Sequence, residues 1–223
     1  MPARETNSRE RHIARVMDAH SAVKTRIEAR LSGFAGMWSS GTDREIFMEM
    51  AFCLLTPQSR ARACWTAVTD LHSTGLLYAG GPEDIAGVLA SRGVRFHNVK
   101  TGRLVRARGM FSPPNPSVRA ALDGLEPAGM REWLVANVDG MGYKEASHFL
   151  RNVGKGEGMA ILDRHILRNM QRLGVLESIP GSISGARYRD LEGRFIALSE
   201  ELGIPPDHLD LVLWYMETGD IFK

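Results

Sequence analysis

Trp133-Leu134-Val135-Ala136-Asn137-Val138-Asp139-Gly140-Met141-Gly142-Tyr143-Lys144-Glu145-Ala146-Ser147-His148-Phe149-Leu150 is the stretch whose reading decides the fold. Its apolar spacing predicts a helix ending near Val138 and a second one starting at Tyr143, with Ala146, Phe149 and Leu150 on the inner face. Gly140 and Gly142 allow backbone angles closed to other residues and let a second backbone come near. Met141, between them, is apolar and suited to plug the gap between the helices. The N–H groups of the hairpin and of the second helix's first turn then point outward, where a phosphate can be held. A plain corner with glycine caps is the competing reading, and Gly-x-Gly alone would favour it. The flanking apolar pattern tips the balance the other way.

Outward from this stretch the pattern remains helical. Periodic apolar positions predict helices at 12–31, from Thr42 or Asp43 up to Pro57, and at 60–71, 82–90, 94–110, 118–122, 130–138, 143–153, 164–173, 186–202 and 206–217. Alternating strand patterns of useful length are absent, so the fold class is all-α. Residues 131–153 resemble a helix-hairpin-helix motif, which grips DNA by its backbone without reading sequence. Pro113-Pro114-Asn115-Pro116 is the expected passage between two lobes of a single unit spanning 1–223.

Composition narrows the setting. With 43% hydrophobic and 24% charged residues over 223 positions, the chain reads as globular. No apolar run approaches bilayer length, and the polar amino terminus has no secretory core, so no membrane partner is expected. Cys53 and Cys64 stand in apolar surroundings, which argues against a disulfide framework and points to a reducing, cytoplasmic location. Net charge is only +2, but no acidic residue occurs between Asp84 and Asp123, while Arg92, Arg95, Lys100, Arg103, Arg106, Arg108 and Arg119 do. This is either a positive field for phosphates or a solvated surface whose acidic partners come from elsewhere in the fold.

Lys144 comes directly after the hairpin. A helix start disfavours a cation, and partial burial disfavours it further, which together would leave a neutral, nucleophilic amine. Most lysines are simply solvated or touch phosphate, and that reading stays open. Nineteen residues downstream, Asp163 stands after Met159-Ala160-Ile161-Leu162 and before Arg164-His165-Ile166-Leu167. It is a helix cap on one reading. On the other it stabilises positive charge on a sugar whose glycosidic bond breaks.

Gly140 to Gly154, with Ile161-Leu162-Asp163-Arg164-His165-Ile166, resembles the second type of 8-oxoguanine DNA glycosylase/AP lyase, of the helix-hairpin-helix superfamily. Val94-Arg95-Phe96-His97-Asn98-Val99-Lys100 and Leu213-Trp214-Tyr215-Met216-Glu217-Thr218-Gly219 with Lys223 agree. The resemblance runs from about Phe47 onward. It implies two helical lobes flanking a DNA-binding cleft, with duplex DNA containing 8-oxoguanine as partner and a nucleoid-associated enzyme working as a monomer. It implies Lys144 and Asp163 as the catalytic pair, acting through a Schiff base and β-elimination, without metal or cofactor. Two cysteines cannot supply the four ligands of an iron–sulfur cluster. An aspartate near Lys144 would favour the charged amine, so desolvation must outweigh it or a proton must pass between them. The resemblance further implies that Phe96 and Trp214 clasp the extruded base, although each also reads as a core aromatic. Gln58 matches a side chain pushed into the vacated stack, and otherwise simply opens a helix after Pro57. Arg103 and Arg106, with Gly140 and Gly142, are the expected DNA-backbone contacts.

Ile221 and Phe222 predict that the final residues dock rather than fray. That would bring Lys223 and its terminal carboxylate near Trp214, where a carboxylate matches the paired donors of guanine. A DNA-binding module without chemistry, and a glycosylase for another lesion, are the rival readings. The presence of both Lys144 and Asp163 argues against the first.

Overall fold

The computed structural model describes residues 2–223, with side chains from Ser8 onward. In chain order the helices are α1 (Pro2–Ala35), α2 (Met37–Ser40), α3 (Asp43–Leu55), α4 (Ala61–Ser73), α5 (Leu76–Ala79), α6 (Pro82–Ser91) and α7 (His97–Met110). They continue as α8 (Val118–Leu122), α9 (Pro127–Asn137), α10 (Tyr143–Asn152), α11 (Arg164–Arg172), α12 (Gly185–Leu202) and α13 (Pro206–Thr218). No strand occurs among the described residues, and the all-α expectation holds. The chain divides into two compact units. One joins the segment up to Phe34 with Glu157–Lys223, and the other is Ala35–Gly156. The prolines at 113–116 lie inside the second unit, between α7 and α8; the divisions fall at 34/35 and 156/157 instead.

In the first unit, α1 buries His12, Val16, Val23, Ile27 and Phe34, a stripe at helical spacing. Met17, beside the stripe, is 42% exposed. Polar contacts fix the helix's register. Arg9 Nε donates to the Leu173 carbonyl at 2.8 Å, and Arg9 pairs with Glu201. His12 Nε2 meets Asn169 Oδ1 at 2.9 Å, His20 meets His208, and the Arg26 guanidinium lies over the Tyr215 ring. Each of these partners belongs to the second half of the chain, beyond Glu157.

The second unit is organised on α3, which buries every residue from Ile46 to Leu55 and packs against α4, α7, α8 and α10. A helix apolar nearly all round must sit centrally. Its start is set by Thr42, whose hydroxyl accepts from Glu45 N while the Glu45 carboxylate accepts from Thr42 N, a reciprocal capping box. Buried Glu49 on α3 accepts from Asn152 Nδ2 on α10 at 2.9 Å, which anchors the hairpin's second helix to the core. One expectation is corrected. The helix foreseen from Val94 begins at His97, because Phe96 takes a left-handed backbone that ends any helix on its amino-terminal side.

Candidate active site

The hairpin forms as its residues predict. Val138 ends α9 in extended backbone, Gly140 turns the chain at φ +83, and Gly142 opens α10 at φ −83, ψ 178. Gly140 therefore needs glycine for its conformation, and also for space: an added Cβ would stand 2.4 Å from Arg103 Cδ. Gly142 has ordinary extended backbone, and a Cβ there would meet only the movable carboxylate of Glu145, at 2.9 Å. Met141 is buried. Gly142 stands at the N-cap of α10 and has no side chain with which to cap it, and Glu145 is the acidic residue of the first turn.

Lys144 is the second residue of α10. Its Nζ donates to Thr56 Oγ1 at 3.2 Å and lies 3.7 Å from Glu145 Oε1, with the side chain 22% exposed. The Thr56 hydroxyl spends its own proton on the Cys53 carbonyl at 2.9 Å, which turns a lone pair toward the lysine. The end of α3 and the start of α10 thus converge on this ammonium. Sequence reasoning missed Thr56, because a contact spanning 88 positions leaves no local signal.

Gln58 and Phe96 are the two non-glycine residues with positive φ among the described residues, each at 56. Such backbone costs a bulky residue on the order of 1–3 kcal/mol and needs support from its surroundings. Gln58 is exposed, in the loop between α3 and α4. Phe96 is 53% exposed, with the Arg95 guanidinium 5.5 Å from its ring, so it is not a core aromatic.

Asp163, in the first unit, caps α11: Oδ1 accepts from His165 N at 2.8 Å and Ile166 N at 2.9 Å. Both bonds fall on one oxygen, so the cap makes no claim on Oδ2. The approach to Asp163 is held from α12. Tyr188 Oη donates to the Ala160 carbonyl and accepts from Leu162 N, while Glu192 accepts from Ala160 N. His165 sets its ring edge-on to half-buried Trp214, 5.0 Å between centroids at 85°. Its Nδ1 lies 3.6 Å from Glu217 Oε2, and Glu217 also receives Arg172 and Asn169. Burial alone would raise the Glu217 carboxyl's pKa, but the hydrogen bond and charge of Arg172 outweigh it and hold the carboxyl below its usual value. The helix that Asp163 caps and the indole of Trp214 therefore share one polar frame. Ile221 is buried and Phe222 half-buried, and Lys223 Nζ lies 5.9 Å from the Phe34 ring centre.

The acid-free stretch 85–122 is compensated from elsewhere. Arg92 pairs with Asp70, Arg106 with Asp139 and Arg119 with Asp43, while Arg108 donates to the Gly80 carbonyl. Lys100 is buried. The second of the two readings therefore holds for three of these seven cations, Arg92, Arg106 and Arg119. Arg103 lies over the hairpin at Gly140.

Three comparisons agree with this geometry. The profile of the family described as 8-oxoguanine DNA glycosylase matches residues 27–204. A relative from Fusobacterium nucleatum, named 8-oxoguanine DNA glycosylase/AP lyase, is 41% identical over 92% of this chain and 94% of its own. The solved 8-oxoguanine DNA glycosylase of Thermotoga maritima superposes with a TM-score of 0.85 at 31% identity, covering 96% of this chain and all of the other. The 8-oxoguanine glycosylase/lyase of Methanocaldococcus jannaschii, solved with DNA containing 8-oxoguanine, gives 0.85 at 30% identity over 95% and 99%. With the hairpin, the lysine behind it and matches that span nearly the whole chain, this protein belongs to the 8-oxoguanine DNA glycosylase family.

Proposed function

We propose that this chain excises 8-oxoguanine from double-stranded DNA and then cleaves the strand as an AP lyase, with Lys144 as the nucleophile. The observation that carries the assignment to Lys144 is its place in the first turn of α10, directly after the Gly140–Gly142 turn, with its ammonium drawn to Thr56. The target nucleotide must leave the stack before its sugar can be reached. Lys144 Nζ, neutral at the moment of attack, bonds to C1′, and the glycosidic bond breaks with its electron pair on the departing base. A proton from the lysine nitrogen passes to that base. The nitrogen lone pair then closes a protonated Schiff base as the C1′–O4′ pair moves onto O4′, which takes a proton from water. Loss of a C2′ proton to water expels the 3′ phosphate, and hydrolysis of the Schiff base frees the lysine.

In this reading Asp163 stabilises the positive charge that builds on the sugar. Phe96 and Trp214 supply flat faces for the extruded purine, Lys223 shares in its recognition, and Gln58 fills the vacated stack. Gly140, Gly142, Arg103 and Arg106 hold the DNA backbone. No metal or organic cofactor enters the scheme. No described helix is long and apolar enough to cross a membrane. We place the enzyme's work in the cytoplasm, on nucleoid DNA, as a monomer.

Borohydride reduction during reaction with 8-oxoguanine DNA tests the nucleophile. Native protein is expected to become covalently trapped, and Lys144→Gln to lose both trapping and strand cleavage. Undiminished trapping of that variant would move the Schiff base to another amine.

A further inference from the structure

Lys100 is 1% exposed and carries a charge that the proposed chemistry does not use. Its Nζ donates to the Leu55 carbonyl at 2.7 Å, the Pro57 carbonyl at 2.8 Å and Ser59 Oγ at 2.8 Å. An ammonium has three donors, and all three are placed on one loop. The loop needs them. α3 ends at Leu55, so carbonyls at its end have no helical partner, and Pro57 interrupts any continuation. A cation there also suits the negative end of the helix.

The same lysine is bound by its backbone to the turn that carries Phe96. Lys100 N donates to the Phe96 carbonyl at 3.0 Å, and Arg95 N donates to Ser59 Oγ at 3.0 Å. Ser59 Oγ is thus shared between the ammonium and the turn. Gln58 lies between two of the loop atoms that the ammonium grips, and Phe96 lies one turn before the lysine itself. The two strained non-glycine residues of the described chain are therefore held by one buried charge.

We infer that Lys100 is a positioning residue that locks the Gln58 loop to the Phe96 turn, so that the strand-filling and base-clasping side chains act as one rigid unit. This rests on the roles proposed above for Gln58 and Phe96. Burial also pushes the Lys100 pKa down to about 8, so the charge is kept at a desolvation cost that an inert packing site would not carry.

The test is Lys100→Met, which keeps the volume and removes every donor, beside the milder Ser59→Ala, which removes the shared acceptor. Thermal melting establishes that each variant is folded, and if Lys100→Met is not, Ser59→Ala carries the test with the same readouts. Those readouts are single-turnover excision of 8-oxoguanine, cleavage at a preformed abasic site, and fluorescence of a 2-aminopurine placed beside the lesion. The ratio of excision to abasic cleavage is expected to fall by about tenfold or more. The fluorescence rise that reports unstacking is expected to shrink with it. A folded variant with the native ratio and native fluorescence would overturn the inference. Phe96→Ala and Gln58→Ala separate it from the functional roles on which it rests. If those two excise normally, the roles assigned to them fall. If they are impaired and Lys100→Met adds its full effect on top of Phe96→Ala, Lys100 does not act through Phe96 and the inference fails alone.

Discussion

Arg103 lies across the α-carbon of Gly140 so closely that a methyl group there would stand 2.4 Å from Cδ and 2.6 Å from Nε. The guanidinium of a proposed phosphate contact is thus seated on the hairpin itself. Gly140→Ala must displace that side chain and also hold alanine at a φ of +83. We expect a loss of stability of about 1–3 kcal/mol. Binding should weaken equally for damaged and undamaged duplex, measured by fluorescence anisotropy across a salt series. Unchanged binding by the folded variant would remove the hairpin from the interface.

Asp163→Asn tests charge apart from shape. The amide oxygen still accepts from His165 N and Ile166 N, so the cap and the melting temperature should survive. Excision should fall by about a hundredfold or more, because the sugar's developing charge loses its counter-charge. Near-native excision would leave Asp163 a cap alone.

Arg106 and Asp139 give a prediction of unusual sign. Their ion pair is exposed on both sides, with 60% and 52% of the side chains accessible, and such pairs add little stability. Arg106→Ala should leave melting nearly unchanged while weakening DNA binding and lowering the salt slope by about one. Asp139→Asn should do the opposite, freeing the guanidinium and tightening binding at low salt. Equal binding by all three proteins would take Arg106 out of the contact set.

Lys100 makes the unfolding free energy pH-dependent. Burial pushes its pKa down to about 8, Arg103, Lys144 and Arg95 push the same way, and the Cys64 thiol opposes them. At neutral pH the folded state carries a charge that the unfolded chain holds more comfortably. Between about 8 and the ordinary value of 10.5 the folded protein sheds the proton while the unfolded chain keeps it, so the penalty is relieved as pH rises. Relative to Lys100→Met, native stability should therefore increase from pH 7 to pH 10, by roughly 3 kcal/mol at most. Urea titrations at the two pH values measure this, and a flat difference would contradict it.

Much of the fold was legible because it is local. Val118–Leu122 and the start of α10 match their sequence readings, and Asp163 caps α11 with the side chain that its position announced. Met141 is buried, as an apolar residue between two glycines led one to expect. The illegible features depend on partners remote in the chain. Phe96 leaves helical backbone where the Arg95 amide meets Ser59, 36 positions away. Asp139 neutralises Arg106 across 33 positions, so a stretch without acids looked more positive than it is. The four-residue helices α2 and α5 carry too few apolar positions to show a period.

The discontinuous first unit bears on how the protein is made. Ala35–Gly156 is one uninterrupted run with its own buried centre, and can fold as soon as it has left the ribosome. The α1 helix emerges earlier yet waits longer, because Asn169, Leu173, Glu201, His208 and Tyr215 all belong to its last-synthesised partners. Throughout that interval the buried stripe of Val16, Val23 and Ile27 lacks the partners that these residues of α1 sit beside. Nascent chains stalled once Gly156 has cleared the ribosome should therefore expose this stripe to holding chaperones, with the hairpin and Lys144 already in place.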